Sequence, residues 1–308
     1  MPFPALLIGA WLLDRVLGEP RAGHPLNGFA RIAGWLERLL NRNNLPAAER
    51  RKAGMLAVGI LVGPAVLLTT LFTLGPLGWV VELGLLYLCL GGRSLREHAL
   101  GVAQPLARGD LAGARAAVAR IVSRDAQAMD AEDTARATTE STLENGNDAV
   151  FATLFWFLVA GAPGAVAHRL VNTLDALWGY RTPRFTDFGY AAARLDDLLG
   201  WIPARLTALT YALAGLRPQA VWSAVRAQAP QWPGSNPGVV LAAGAAALDT
   251  TLGGPAVYTE GVRHRPTLGT GQPADADTIE RSVALVERGV LIWIAAAIAL
   301  WAPSPLIP

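Results

Sequence analysis

GMLAVGILVGPAVLLTTLFTL, residues 54–74, decides the fold. The run carries no charge, and as a helix it is long enough to span roughly 30 Å of hydrocarbon. Gly75-Pro76-Leu77-Gly78 interrupts it, and a shorter apolar run over 76–92 follows. The two read as a helical hairpin.

Further apolar runs lie at 3–13, 149–167, 201–216, 237–248 and 287–302. The chain has 308 residues, 52% hydrophobic and 16% charged, with a mean hydropathy of +0.33. Soluble domains carry about 25% charged residues, so lipid is the natural cover for this much apolar surface. The patterning predicts an all-α fold: a polytopic integral membrane helical protein, with one membrane-embedded domain over 1–308. Gly161-Ala162-Pro163-Gly164 breaks the run 149–167, which reads as a re-entrant pair with polar backbone lining a protein cavity. The run 237–248 is rich in Ala and Gly, as in close helix packing within a membrane. The last helix has a start signal: Asp277 as cap, with Glu280 completing a capping box.

Arginines orient the chain. The segment 15–52 holds Arg15, Arg21, Arg31, Arg38, Arg42, Arg50, Arg51 and Lys52, the only lysine, and reads as cytoplasmic. The hairpin then returns 93–148 to the same side, where helices are expected at 107–123 and 127–145. Residues 217–236 and 253–275 read as loops. The net charge of +2 comes from basic residues spread along the chain, so no nucleic-acid partner is expected. Cys89 sits in an apolar run and reads as a buried small hydrophobe. Asp14 and Arg15 directly follow the run 3–13, and no cleavable signal peptide is read there.

Five constellations could carry chemistry. Asp14, Glu19 and His24 sit where an apolar run meets water; a solvated turn is the alternative. Glu140, Glu144 and Asp148 recur every four residues, so on a helix they share a face. Like charges so placed repel unless a cation lies between them, and carboxylates favour Mg²⁺. His168, Arg169, Asn172, Thr173, Asp175, Tyr180 and Arg181 form the densest polar stretch beside apolar sequence, where polar groups are costly. Arg194, Asp196, Asp197 and Arg205 suit metal or phosphate, or a structural ion network. Ser235 or Asn236 caps the helix that follows, whose N-terminus would attract an anion. There is no Walker loop, dinucleotide fingerprint or zinc spacing.

Asn172-Thr-Leu-Asp175 through Gly179-Tyr180-Arg181, Phe188-Gly189, Ala193-Arg194-Leu-Asp196-Asp197 and Ile202-Pro203-Ala204-Arg205 resemble the signature of the adenosylcobinamide-phosphate synthase family. Asp14 through Glu19-Pro20, His24-Pro25, Arg124-Asp125, Glu140, Glu144-Asn145 and Asp148 fit the same family. Glu19 stands where the pattern expects aspartate, and Ser235-Asn236-Pro237 inverts an expected Ser-Pro-Asn order.

The resemblance implies a ligase of cobalamin biosynthesis. It would join adenosylcobyric acid to (R)-1-aminopropan-2-ol phosphate, consuming ATP with Mg²⁺ and giving adenosylcobinamide phosphate. Glu140, Glu144 and Asp148, with Asp196 and Asp197, would hold metal. Arg169, Arg181, Arg194 and Arg205 would hold phosphates, with Asn172, Thr173, Tyr180, Ser235 and Asn236 binding substrate. His24 or Asp175 would take the amine proton, and Glu144 counts with them as catalytic. Asp14, Glu19, Arg124, Asp125 and Asn145 are further candidates. The implied setting is the bacterial inner membrane with a cytoplasmic active site. Implied partners are the corrinoid, the amino alcohol phosphate, the bilayer, and another copy or other cobalamin-assembly proteins. A transporter or a non-enzymatic membrane sensor is the alternative.

Overall fold

The structure, a computed structural model, describes residues 3–20, 23–42, 44–258 and 261–301. Its helices are α1 Phe3–Leu17, α2 Pro25–Leu40, α3 Ala47–Thr73, α4 Gly78–Cys89, α5 Gly92–Ala107, α6 Leu111–Val118 and α7 Ala131–Asn145. A π turn over Gly146–Phe151 leads into α8 Ala152–Trp178. Then come α9 Tyr190–Ala214, α10 Pro218–Gln228, α11 Ser235–Leu248, strands β1 Leu252–Gly253, β2 Ala256–Tyr258, β3 Gly261–Arg263 and β4 Thr267–Leu268, and α12 Ala276–Trp301. Among the described residues three helical stretches are long and apolar enough to cross a membrane: Ala47–Thr73, Ala131–Trp178 and Ala276–Trp301. The chain is a polytopic membrane protein of all-α class, with only short strands beside its helices.

The chain forms two compact units, each built from two segments: Met1–Gly91 with Ala152–Gly200, and Gly92–Phe151 with Trp201–Pro308. In the first, α8 packs against α2, α3 and α4, and α1 lies on α4. Ala33 and Leu36 of α2, Ala57, Val58 and Leu61 of α3, and Leu174 and Trp178 of α8 share one core with Phe188. Trp178 and Phe188 meet edge to face at 5.0 Å. The outer side of α3 shows Met55, Leu56, Ile60, Leu67, Leu71 and Phe72, a surface suited to lipid. A polar clasp pins the turn after α8. Arg184 grips buried Glu37 through Nε at 3.1 Å and Nη2 at 2.7 Å. Asn41 donates to Glu37 at 2.7 Å and accepts from Arg50 at 3.0 Å. The expected break in the run 149–167 is a kink within α8: Ala160 (φ −139°, ψ 19°) and Gly161 (φ 64°, ψ −159°) leave helical geometry.

In the second unit α5, α6, α7 and α12 pack around small side chains such as Ala99, Ala103, Ala114, Val118 and Ala135. Buried α11 packs on α7 and α10. Several boundaries differ from the sequence reading. The helix expected over 107–123 is only α6, because Gly109 (φ +77°) turns the chain and Asp110 caps α6 through Gly113 N at 2.8 Å. The helix expected from 127 starts at 131, where Asp130 accepts from Asp133 N at 2.7 Å. The stretch 217–236, read as a loop, holds α10, with Pro218 in its first turn. The loop 253–275 holds short antiparallel ribbons, β1 with β4 and β2 with β3. The capping box of α12 lies two residues upstream of the expected one: Asp275 accepts from Thr278 N at 2.8 Å, and Thr278 Oγ1 accepts from Asp275 N at 3.2 Å. Asp277 instead pairs with Arg281 at 2.8 Å.

Candidate functional site

The second unit's polar centre starts with α7. This helix is buried although its sequence is rich in threonine. Thr134, Thr138 and Thr142 solve the problem locally: each hydroxyl donates to the carbonyl four residues back, at 2.7–2.8 Å. These three hydroxyls enter the interior satisfied, whereas that of buried Thr139 has no hydrogen bond among the described residues. The helix carries Glu140 inward, where the carboxylate is nearly closed to solvent.

Glu140 is surrounded by donors. Arg265 forks onto it, Nη1 to Oε2 at 2.8 Å and Nη2 to Oε1 at 3.1 Å. Arg124 donates to Oε2 from another side, and Gly253 N reaches Oε1 at 2.7 Å. Both arginine side chains are themselves largely enclosed, 12% and 11% exposed. Arg265 also donates to the Gly253 and Gly254 carbonyls and stacks on Trp232 at 5.1 Å. Gly253 sits at φ +76°, and a Cβ there would strike the Pro266 carbonyl, so glycine is required where the ribbon meets Glu140. Tyr258 adjoins Arg124. Burial disfavours the Arg124 charge, but Glu140 and Tyr258 outweigh it and hold the guanidinium above its ordinary value. Two guanidinia and one carboxylate leave this triad with one excess positive charge.

Glu144, one turn on, is half-buried and has no hydrogen bond or ion pair among the described residues. It feels the charges of Glu140, Asp148, Arg124 and Arg265. The π turn begins after Glu144 and contains Asp148, so the even four-residue spacing read as one α-helical face is interrupted. Beside the π turn the Leu143 carbonyl accepts from the Tyr211 hydroxyl at 2.9 Å as well as from Gly146 N. Asn147 donates to Asp148 at 2.7 Å and accepts from Thr207 at 2.8 Å. Among the described residues no group of three or more His, Cys, Asp or Glu side chains is placed to hold a metal. Glu140 in particular is not the open metal ligand expected of it, because both oxygens are filled by N–H groups.

Other expected residues in this unit take structural posts. Asp125 caps a 3₁₀ turn through Gln127 N at 3.1 Å. Asn145 is exposed and bonds Ser141. Arg205 and Asn236 come together at 2.9 Å, with Arg205 lying over Trp201 at 4.3 Å. Neither Ser235 nor Asn236 caps α11: Gly234 holds the cap position with no side-chain bond, and Ser235 is exposed.

In the first unit the dense polar stretch lies on α8. His168 is buried; Arg169, Asn172, Thr173 and Asp175 are half-buried. Asn172 donates to Asp196 of α9 at 3.2 Å. Thr173 spends its hydroxyl on the Arg169 carbonyl. Asp175 lies so close to Gly179 that a Cβ there would collide with its carboxylate. The Arg169 side chain has no hydrogen bond or ion pair among the described residues, and its Nε is sealed from solvent. Tyr180 and Arg181 are exposed in the turn after α8. Arg194 and Asp197 are exposed, 3.7 Å apart, and Arg194 stands over Tyr190. His24, expected as a base, caps α2: its Nδ1 accepts from Leu26 N at 3.2 Å. Asp14 is buried and Glu19 half-buried.

Sequence reasoning missed Arg265, Trp232 and Tyr258. All three fall in stretches read as loops, and only the Arg263-His264-Arg265 cluster between glycines signals them.

Residues 7–286 match the CobD/Cbib protein family. A cobalamin biosynthesis protein CobD from Stutzerimonas stutzeri (strain A1501) is 54% identical over 293 residues, 94% of each chain. Its namesake from Chromobacterium violaceum is 50% identical over 295 residues, again 94% of each. That of Rhodobacter capsulatus is 38% identical over 318 residues, 99% of this chain and 100% of its own. No solved structure matches the chain.

Proposed function

The chain belongs to the CobD/Cbib family of cobalamin biosynthesis, and on that premise we propose that it forms an amide bond at the expense of ATP. The acid is a propionate of adenosylcobyric acid, the amine is (R)-1-aminopropan-2-ol phosphate, and the product is adenosylcobinamide phosphate. A carboxylate is a poor acyl donor, because oxide would have to leave. A carboxylate oxygen therefore attacks the γ-phosphorus of ATP, giving an acyl phosphate and ADP. The amine attacks the carbonyl carbon, the bond from that carbon to the phosphate oxygen breaks, and phosphate leaves as the ammonium loses its proton.

The observation that carries this reading is Glu144, a carboxylate without a partner beside a triad with excess positive charge. Mg²⁺ there would offset the carboxylates of Glu144 and Asp148 and, with the two guanidinia, suit a polyphosphate. Glu144 and Asp148 fit Mg²⁺, which takes one or two carboxylates and fills its shell with water and phosphate oxygens. Bound there, Mg²⁺ would spread the charge of the transferring phosphoryl group. Glu140 does not fit that role; it positions Arg124 and Arg265. In the first unit, Arg169 is a guanidinium suited to an anion such as a substrate phosphate. The basic segment 15–52 supports a bacterial inner membrane with the reaction on the cytoplasmic side.

The test is direct. Reconstituted protein with ATP, Mg²⁺, both substrates and no other enzyme should yield the amide by mass, with one ADP per amide. Corrinoid that crosses proteoliposomes unaltered, with no amide formed, would overturn the reading in favour of a transporter.

A further inference from the structure

We propose that α2 is an interfacial helix that docks on an anionic phospholipid leaflet. Three sectors run along it. One faces protein: Ala33 and Leu36 pack in the core with α3, and Glu37 is buried and held by Arg184. The second is apolar but uncovered: Ile32, Trp35 and Leu39 are 55%, 58% and 48% exposed. Their i, i+3, i+7 spacing makes a single stripe. The third is basic. Arg31 and Arg38, seven residues apart and therefore on one face, run beside that stripe, and Arg42 follows the helix end. All three arginines are exposed, and none of their side chains has an ion pair or hydrogen bond among the described residues.

Lipid fits this surface better than a protein partner does. The only acid between 24 and 42 is Glu37, which is buried, so the outward charge of α2 is wholly positive. The helix that bears the stripe packs on α3, whose own exposed Met55, Leu56 and Ile60 belong to a helix long and apolar enough to cross a membrane. A helix with Trp on its apolar side and arginines beside it lies in the plane of the interface, its apolar face about 5–10 Å into the headgroup–acyl boundary. Guanidinium forks match lipid phosphate geometry.

Two measurements test this. A nitroxide is placed by Trp35→Cys, and separately by Leu39→Cys, in a Cys89→Ala background, Cys89 being the only cysteine. In nanodiscs of phosphatidylcholine and phosphatidylglycerol, both labels should be relaxed by oxygen and shielded from an aqueous nickel chelate. Greater access to nickel, or access to neither, would overturn the proposal; the second outcome means that protein covers the stripe. Spin-labelled phosphatidylglycerol should associate several-fold more than spin-labelled phosphatidylcholine. The triple variant Arg31→Gln, Arg38→Gln, Arg42→Gln should remove at least most of that preference. A preference unchanged in the variant would also overturn the proposal.

Discussion

Replacing Arg265 by glutamine should strip buried Glu140 of two charge-assisted hydrogen bonds, at 2.8 and 3.1 Å. Taking one partner from a buried ion pair costs about 3–5 kcal/mol, because the other charge is left uncompensated. Here Arg124 and Gly253 N still serve Glu140, which puts the loss near the lower end, about 3 kcal/mol. Glu140→Gln leaves both guanidinia facing a neutral acceptor, and about 3 kcal/mol is expected again. The double variant removes the pair together. It should lose about 4 kcal/mol rather than about 6, a coupling of about 2 kcal/mol. SDS-driven unfolding of the protein in detergent micelles, followed by tryptophan fluorescence, measures all three. A coupling below about 0.5 kcal/mol would refute the idea that this triad ties α7 to the ribbons.

Three further outcomes follow from the structure. Gly161→Ala should destabilise the first unit by about 1–3 kcal/mol, because φ 64°, ψ −159° is a backbone region nearly confined to glycine; unfolding in the same micelles reads it. Asp275 caps α12. Burial opposes its charge, but bonds from Thr278 and the field of Arg281 outweigh that and hold the carboxyl below its ordinary value. The stability it adds is therefore present above the unfolded-state value and fades as pH falls through the lower folded-state value. Asp275→Asn, which can still cap, should flatten that acid limb in unfolding midpoints taken on both sides of pH 4. Glu144→Gln, an isostere at a partnerless group, should cut amide formation by about a hundredfold or more while leaving micelle unfolding unchanged; retained activity would remove Glu144 from the site.

What the sequence made legible, and what it hid, has physical reasons. Runs such as 54–74 announce α3 because length and the absence of charge are all that a span requires. The break at Gly161 shows because Gly161 and Gly164 flank Pro163, whereas single prolines such as Pro64 and Pro203 sit inside helices that continue. The cap of α12 is ambiguous by two residues because Asp275-Thr278 and Asp277-Glu280 are both plausible boxes; the helix uses the first, and Asp277 pairs with Arg281. The π turn had no signal, since the extra residue is absorbed by Tyr211 and Thr207, far away in sequence. Glu140 is legible because its acidity is local, whereas its partner Arg265 lies 125 residues on.

The most direct test follows oxygen. Adenosylcobyric acid labelled with ¹⁸O in the reacting carboxylate is converted with unlabelled ATP, and the released phosphate is weighed. If the carboxylate is phosphorylated before the amine attacks, one ¹⁸O appears in inorganic phosphate for every amide formed. Amide production with unlabelled phosphate would contradict the account.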